Sequence, residues 1–306
     1  MENKAIYASA GKFEIKDATY PSPKYHEAII KVTAISLNRG EVRTAFAKKE
    51  EWIPGWDLAG VVVQSAANGA GPKANERVVG FLPSGAWARY AAVPADALAV
   101  LPANVTEEQA STFPVAGLTA LLTLAKGGQL LGKRVLITGA TGGVGMFAVQ
   151  LAALSGAHTT AFIRDRKDAS IMNELGADEV IYSTDDIKNP FHLIIDSIGG
   201  ELIGKLITKV SPHGTLVSYG NSSDQPEASY TVASMYRSSA TLYGFILFNE
   251  VKAETPAPAL GRLVDLVSRN KVKVIIEKES DWTSIQQVAQ DLIERKFKGK
   301  AVLKVS

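Results

Sequence analysis

The sequence predicts an α/β protein in two domains, a β-rich first third followed by a doubly wound parallel sheet. Three observations predict it. Short apolar runs punctuated by Pro21, Pro23, Pro54, Pro72, Pro83, Pro94 and Pro102 fill the first third, and proline at that density argues against long helices. From Arg134 onward, strand-like and helix-like segments alternate, the pattern of βαβ units covered on both faces. Where that alternation begins, Arg134-Val-Leu-Ile-Thr-Gly-Ala-Thr-Gly-Gly-Val-Gly145 runs an apolar strand straight into a glycine cluster, and Met146 to Leu154 continues as a helix.

In order along the chain, Glu27-Ala-Ile-Ile-Lys-Val-Thr-Ala-Ile-Ser36 combines β-branched residues with partial alternation, as a half-buried strand does. Asp57 to Val63 and Glu76 to Leu82 have the same character, each bounded by Gly, Pro or Asn. Short strands at this spacing predict a distorted β-barrel or small β-domain, with the first domain expected over residues 1–115. Thr106 with Gln109 three residues later is a capping-box pattern, and Gly117 to Ala125 predicts a buried helix. Strands are expected at 134–138, 158–163, 179–182, 191–196 and 214–218, with helices near 144–154, 167–175 and 201–210. Thr241 to Phe248 is expected as the last strand of a nucleotide-binding domain over 116–250. Pro256 to Asn270 predicts a helix with Pro258 in its first turn. Strands expected at 273–276 and 301–305 would return the segment 251–306 to the first domain.

The totals narrow the function classes. A 306-residue chain with 46% hydrophobic and 21% charged residues can fold around two cores. Its formal net charge of +2 gives no argument for nucleic acid or a membrane surface as partner. The absence of cysteine excludes disulfides, thiolate catalysis and cysteine-ligated metals. Met1 to Tyr7 has no basic leader or apolar core, and no apolar run approaches a membrane span, so a soluble cytoplasmic protein is expected.

The glycine cluster carries the chemistry. A strand, a glycine loop and a helix in that order set backbone N–H groups and a positive helix end against a bound diphosphate. Here the loop is Ala140-Thr141-Gly142-Gly143-Val144-Gly145, with alanine where the dinucleotide fingerprint has its first glycine. Gly142 would let the backbone approach the pyrophosphate, and Gly145 would let the helix pack close on the strand. The second strand ends in Arg164, 19 positions after Gly145, close to the usual offset of about 20 for the ribose-reading residue. Arg164, Arg166 and Lys167 around the single acid Asp165 favour a 2′-phosphate, hence NADP(H).

Thr138-Gly-Ala-Thr-Gly-Gly-Val-Gly145 also fits the glycine signature of short-chain reductases. Those enzymes need a later Tyr-x-x-x-Lys on one helix face, so that the lysine lowers the tyrosine pKa. The only such spacing, Tyr20 to Lys24, precedes the loop and contains two prolines, which excludes that helix.

A family resemblance extends the reading. The motifs Ala34-Ile-Ser-Leu-Asn-Arg39, Pro54-Gly-Trp-Asp-Leu-Ala-Gly-Val61 and Pro114-Val-Ala-Gly-Leu-Thr-Ala120 precede the glycine loop. Leu175-Gly-Ala-Asp178, Asp196-Ser-Ile-Gly-Gly200, Gly214-Thr-Leu-Val-Ser-Tyr-Gly220 and Lys298-Gly-Lys-Ala-Val-Leu303 follow it in the family's order. Over nearly its whole length the chain resembles the zinc-independent medium-chain dehydrogenase/reductases, close to the quinone oxidoreductases related to zeta-crystallin. The resemblance implies a GroES-like catalytic domain beside a Rossmann-type NADP-binding domain. It implies that Thr119 approaches the nicotinamide side, that Ile198 and Gly199 lie beside the nicotinamide or its ribose, and that Tyr219, Gly220 and Phe245 lie near the same end. Tyr182 and Arg295 would serve the adenosine ribose phosphate.

Zinc enzymes of this superfamily carry a cysteine where this chain has Asn38, and Gly-His-Glu where it has Gly55-Trp56-Asp57. The four histidines, His26, His158, His192 and His213, show no pair at ligand spacing, so no metal is expected. Without a strong Lewis acid, hydride delivery from NADPH to a quinone or conjugated enone is the economical chemistry. Asn38 either donates its amide hydrogen to the acceptor carbonyl or pins its own loop. In a segment 39–56 that contains no tyrosine and is expected to be a short loop, Trp52 and Phe46 are candidates to stack on a planar acceptor, with anchoring of the loop on the β-domain as the alternative for Trp52. The alternatives to a quinone oxidoreductase are an alkenal or enone double-bond reductase and an NADPH-binding redox sensor with little turnover. A homodimer through the edge strand 241–248 is expected by the resemblance.

Overall fold

The computed structural model describes residues 2–306. Two compact units emerge, one made of residues 1–118 with 251–306 and the other of 119–250. The first opens on an antiparallel pair, β1 (Asn3–Ser9) and β2 (Lys12–Ala18), which the sequence reading did not assign. Ala10 and Gly11 join them at φ 47° and 79°, the two-residue geometry that matches strand twist in a hairpin. There follow β3 (Glu27–Ser36), α1 (Arg39–Ala47), β4 (Asp57–Gln64), β5 (Arg77–Phe81), β6 (Tyr90–Pro94), β7 (Leu98–Val100) and α2 (Glu107–Ser111). Thr106 does cap α2, with Gln109 reciprocating.

In the second unit the order is α3 (Leu118–Ala125, its first residue in the other unit), β8 (Arg134–Thr138), α4 (Gly143–Leu154), β9 (His158–Phe162), α5 (Ala169–Glu174) and β10 (Glu179–Ile181). It continues with β11 (Phe191–Asp196), α6 (Glu201–Leu206), β12 (Val210–Ser218), α7 (Val232–Tyr236), β13 (Thr241–Gly244) and α8 (Leu247–Ala253). The chain closes with α9 (Pro256–Ser268), β14 (Ile276–Asp281), α10 (Ile285–Ile293) and β15 (Lys300–Lys304).

The sheet of the first unit runs β14-β15-β3-β4-β5-β7, with β6 pairing β3 off that path. Register shifts between β3 and β4 at Ile29/Ile30 and Val32/Ala34 are bulges, which bend and twist the ladder as a curved barrel wall requires. Ile30, Val32, Ile35, Leu58, Val78 and Trp87 fill its core. β15 pairs antiparallel with β3, so the last strand of the chain sits beside one of the first. Two expectations need correction here. Residues 39–47 form a helix rather than part of a short loop, started by Asn38 and Glu41 and buried through Val42 and Ala45. The strand expected at 273–276 lies instead at 276–281, where alternating charged residues suit a half-exposed edge.

All pairs in the six-stranded sheet of the second unit are parallel, in the order β10-β9-β8-β11-β12-β13. Counted from β8, that is 3-2-1-4-5-6, the doubly wound order, and it reverses between β8 and β11. Ligands of such sheets bind outside the carboxyl ends of the strands at that reversal. The expected strand 241–248 stops at Gly244. Phe245 N still donates to Ser218 O at 2.8 Å, after which the chain turns into α8. Tyr243 Oη donates to Glu250 at 2.6 Å, and Lys126 Nζ meets the same carboxylate at 2.8 Å, tying that helix back to the strand. Among the described residues no helix is long and apolar enough to cross a membrane.

Candidate functional site

The glycine loop lies where the strand order reverses. Gly139 leaves β8 at φ 58°, and a Cβ there would meet Ser197 Oγ at 2.3 Å. A Cβ on Gly145 would lie 2.5 Å from Gly139 O and 2.6 Å from Ala140 Cα, so only glycine lets α4 begin this close to the turn. Ala140 is fully buried and Thr141 half-buried. The N-cap of α4 is Gly142, an exposed residue that offers no side-chain cap, and Gly143 and Val144 begin the helix. A twelve-residue helix whose first turn has no side-chain cap fits the diphosphate of a dinucleotide.

Asp196, at the carboxyl end of β11, is fully buried and joins the two loops. Its carboxylate accepts from Thr138 Oγ1 at 2.6 Å, Gly199 N at 2.8 Å and Ile198 N at 3.3 Å. Its own carbonyl accepts from Tyr219 N at 2.9 Å. Burial pushes its pKa up, opposed by the donors from Thr138, Gly199 and Ile198. The end of β8 is thereby bonded to the 197–200 turn, in which Gly199 has φ 74°. Tyr219 is half-buried, with its phenol pKa raised by burial and partly offset by Ser197. Ser197 also packs under Gly220, whose Cβ would meet Ser197 O at 3.0 Å. The structure thus brings Ile198, Gly199, Tyr219 and Gly220 to the strand ends beside the glycine loop. Sequence reading quoted Asp196 within a motif but gave it no role. The available signal was an acid ending the apolar run Ile194-Ile195.

The cations after β9 divide. Arg166 stacks its guanidinium over the Tyr182 ring at 4.1 Å, which brings two of the expected phosphate contacts together. Lys167 turns to Asp165 at 2.9 Å, an exposed pair of small energetic weight that raises the lysine pKa. Arg164 is exposed. Thr119 is buried and its carbonyl accepts from Thr123 Oγ1 at 2.6 Å, while Phe245 is buried at the end of β13. Arg295 belongs to the other unit and has φ 59°. There, burial, Arg43 and Arg295 together lower the Arg39 pKa to about 10, so it remains a cation at neutral pH.

In the first unit Asn38 sits in a buried polar knot. Its amide Nδ2 donates to Asp57 Oδ2 at 2.7 Å and Glu41 Oε1 at 3.1 Å, and its Oδ1 accepts from Lys300 Nζ at 2.6 Å. Both amide hydrogens are therefore engaged within the chain, which corrects the expectation that Asn38 donates to an acceptor carbonyl. The loop-pinning alternative describes the geometry: Asn38 N donates to Glu41 Oε1 at 2.7 Å at the head of α1. Trp52 bonds Ala8 through both backbone groups, at 2.9 and 3.2 Å, and packs on the core. Phe46 packs edge-on to Phe13 at 5.9 Å between centroids. The expected stacking pair is turned onto the unit's own core. Sequence reading missed Glu41 and Lys300: Glu41 bonds Asn38 and Trp56 N, and Lys300 reaches Asn38 across 262 positions of chain, which leaves no local signal.

Glu41 is fully buried, and its pKa is raised well above the ordinary value by burial and by Asp57, against Lys300 and Asn38. The folded state holds its proton more tightly than the unfolded chain does. That stabilisation is fully present below the unfolded value and is lost as pH rises through the folded one. Glu41→Gln is expected to flatten the decline of melting temperature between pH 5 and 8, read by thermal melts across pH. An unchanged slope would remove Glu41 as its source.

Among the described residues no three His, Cys, Asp or Glu side chains gather as a metal ion needs. Asn38, Trp56 and Asp57 do not fit a zinc ion: they offer neither thiolate nor imidazole.

Comparison with known proteins agrees with this geometry. A family profile described as zinc-binding dehydrogenase matches residues 143–265, and one described as alcohol dehydrogenase GroES-like domain matches 24–103. The chloroplast envelope quinone oxidoreductase homolog of Arabidopsis thaliana is 30% identical, over 99% of this chain and 97% of its own. The 2-methylene-furan-3-one reductase of Solanum lycopersicum is 30% identical over 70% of this chain and 60% of its own. Among solved structures, a mycobacterial protein complexed with NADPH superposes with a TM-score of 0.88 at 22% identity, over 99% of both chains.

Proposed function

The chain belongs to the quinone oxidoreductase-like branch of the medium-chain dehydrogenase/reductase family, and from that premise we propose that it is an NADPH-dependent reductase that delivers hydride to a quinone-type acceptor without zinc. The observation that carries the reading is the Asp196 knot, which sets a dinucleotide-shaped glycine loop and the 197–200 turn at one reversal of strand order. The NADPH bound to the mycobacterial neighbour and the quinone oxidoreductase relatives support it.

NADPH, when bound, supplies the hydride. Gly142 to Gly145 and the first turn of α4 hold the diphosphate, while Arg164 and the Arg166–Tyr182 stack meet the 2′-phosphate. Ile198 and Gly199, fixed by Asp196, orient the nicotinamide end, with Thr119, Tyr219, Gly220 and Phe245 around it. Arg164→Ala is expected to weaken NADPH about tenfold or more and NADH little, as one charge-assisted phosphate contact implies. Fluorescence titration with both cofactors checks it, and equal losses sink the assignment.

A second reading, reduction of an enone C=C bond, is favoured by the 2-methylene-furan-3-one reductase relative. The deciding experiment is NADPH consumption by the purified protein across quinones and α,β-unsaturated carbonyls, with product analysis. Turnover of quinones supports the first reading and a saturated ketone product the second. Tight cofactor binding without turnover would assign the chain to redox sensing instead.

We also propose a homodimer through the edge strand β13. Tyr230, Val232, Tyr236 and Ile246 expose 40%, 75%, 67% and 58% of their surface near it, an unusual apolar density. Light scattering should give twice the 32.6 kDa chain mass, and a monomer at micromolar concentration would refute it.

A further inference from the structure

Lys300 is the most deeply buried ammonium of the chain's polar knot, 4% exposed, against Asp57 and Glu41 at 0%. Its Nζ faces three oxygens, Asn38 Oδ1 at 2.6 Å, Leu37 O at 3.1 Å and Asp57 Oδ2 at 3.3 Å, one for each ammonium hydrogen. An amide, a carbonyl and a carboxylate oxygen form a hard donor set of the sort that hard cations take. The oxygens are held independently of the lysine. Asp57 Oδ2 accepts from Ser36 Oγ at 2.6 Å and Asn38 Nδ2 at 2.7 Å, and Asp57 Oδ1 accepts from Val115 N at 2.9 Å. Glu41, behind Asn38, accepts from Trp56 N at 2.8 Å.

The frame is rigid. β15, β3 and β4 are successive neighbours in the sheet, with Val302 opposite Ser36 and Ser36 opposite Asp57. Leu37 N donates to Ala301 O at 3.1 Å, locking the chain beside Lys300 to the oxygens it faces. Lys300 is ion-paired to Asp57 at 3.3 Å inside this frame, with both side chains buried.

We propose that Lys300 is a resident internal cation: its ammonium fills an oxygen-lined cation site at the head of α1, and without it that site takes a small cation from solution. The chain's own strand supplies the positive charge on which Asn38 and Asp57 are organised, Asn38 standing where zinc enzymes of the family carry a cysteine. The proposal deepens the zinc-free reading, and the two fail separately. Absence of NADPH turnover by the wild-type protein defeats that reading and leaves the cation site standing.

The test is thermal melting of the full chain and of Lys300→Ala in choline chloride, ammonium chloride, magnesium chloride and calcium chloride at equal ionic strength. The variant should melt well below wild type in choline and recover at least half of the loss in ammonium or in one of the divalent salts. Recovery in ammonium alone identifies a monovalent site, and recovery in magnesium or calcium a divalent one. Wild type should show no such selectivity and no stoichiometric metal by elemental analysis. A variant that melts equally in all salts, or a wild type that binds metal with Lys300 intact, overturns the proposal. If Lys300→Ala does not fold in choline, native near-ultraviolet circular dichroism regained in ammonium or a divalent salt supports it. Lys300→Met with Asp57→Asn is the further check: the pair should be more stable than Lys300→Met alone. Additive losses, with no folding of Lys300→Ala in any salt, refute it.

Discussion

Gly145→Val is expected to abolish NADPH binding at micromolar concentration and to lower the melting temperature. The new Cβ would stand 2.5 Å from Gly139 O and 2.6 Å from both Ala140 Cα and Ala140 O, and these are backbone atoms of a turn that cannot rotate away. α4 must then back off from β8, which opens the cradle that its first turn forms with the loop. Overpacking of this kind costs about 1–3 kcal/mol in stability. Losing the cradle's backbone contacts should weaken NADPH by about 100-fold or more, near 2.7 kcal/mol. Gly142→Ala is the internal control for the melting temperature alone, because a methyl group there also meets the diphosphate side of the loop. Its nearest contact within the chain would be Gly139 O at 3.2 Å, so a shift of a few tenths of an ångström accommodates it and the loss of stability should be far smaller. Fluorescence titration and melting curves measure both. Wild-type affinity in the valine variant would mean that the diphosphate does not sit on this loop.

Asp196→Ala is expected to separate the two ends of the cofactor site. It leaves Thr138 Oγ1, Ile198 N and Gly199 N without their acceptor in a buried place, where each such group costs about 1–3 kcal/mol. Relief of the buried carboxylate offsets part of this, and a net loss of about 2–4 kcal/mol is expected. The 197–200 turn then loses its fixed position, whereas Arg164, Arg166 and Tyr182, at the ends of β9 and β10, are untouched. NADPH should weaken at least tenfold and 2′,5′-ADP, which has no nicotinamide, by less than threefold. Asp196→Asn should fall between, because its amide keeps one acceptor and turns a donor toward a donor. Calorimetric titration with both ligands decides. Equal weakening of the two would make Asp196 a purely structural residue.

Much of this site was legible in the sequence, for local reasons. Strand, glycine turn and helix must be contiguous to form a diphosphate cradle, so Arg134 to Leu154 announces itself in one window. The cations at 164–167 were equally visible, but their fates were not. Whether Lys167 turns to Asp165 or to a phosphate, and whether Arg166 finds Tyr182, depends on a neighbouring strand. The helix at 39–47 did have a local signal, Asn38 with Glu41 three residues later, a capping box that the strand-rich surroundings masked. The bonds of that pair to Asp57, Trp56 N and Lys300, by contrast, could not be read from spacing.

By itself the sequence determined the alternation of elements, the glycine cradle and the want of zinc ligands, since each follows from residue type and short-range spacing. Only the tertiary structure decided where Asn38 sends its amide hydrogens, that Asp196 joins two loops, and that Lys300 stands among oxygens from residues 37, 38 and 57. The physical reason is that periodicity and turn chemistry are local. Pairing of buried charges is set by which strands become neighbours, and 262 positions separate Lys300 from Asn38 until β15 lies against β3.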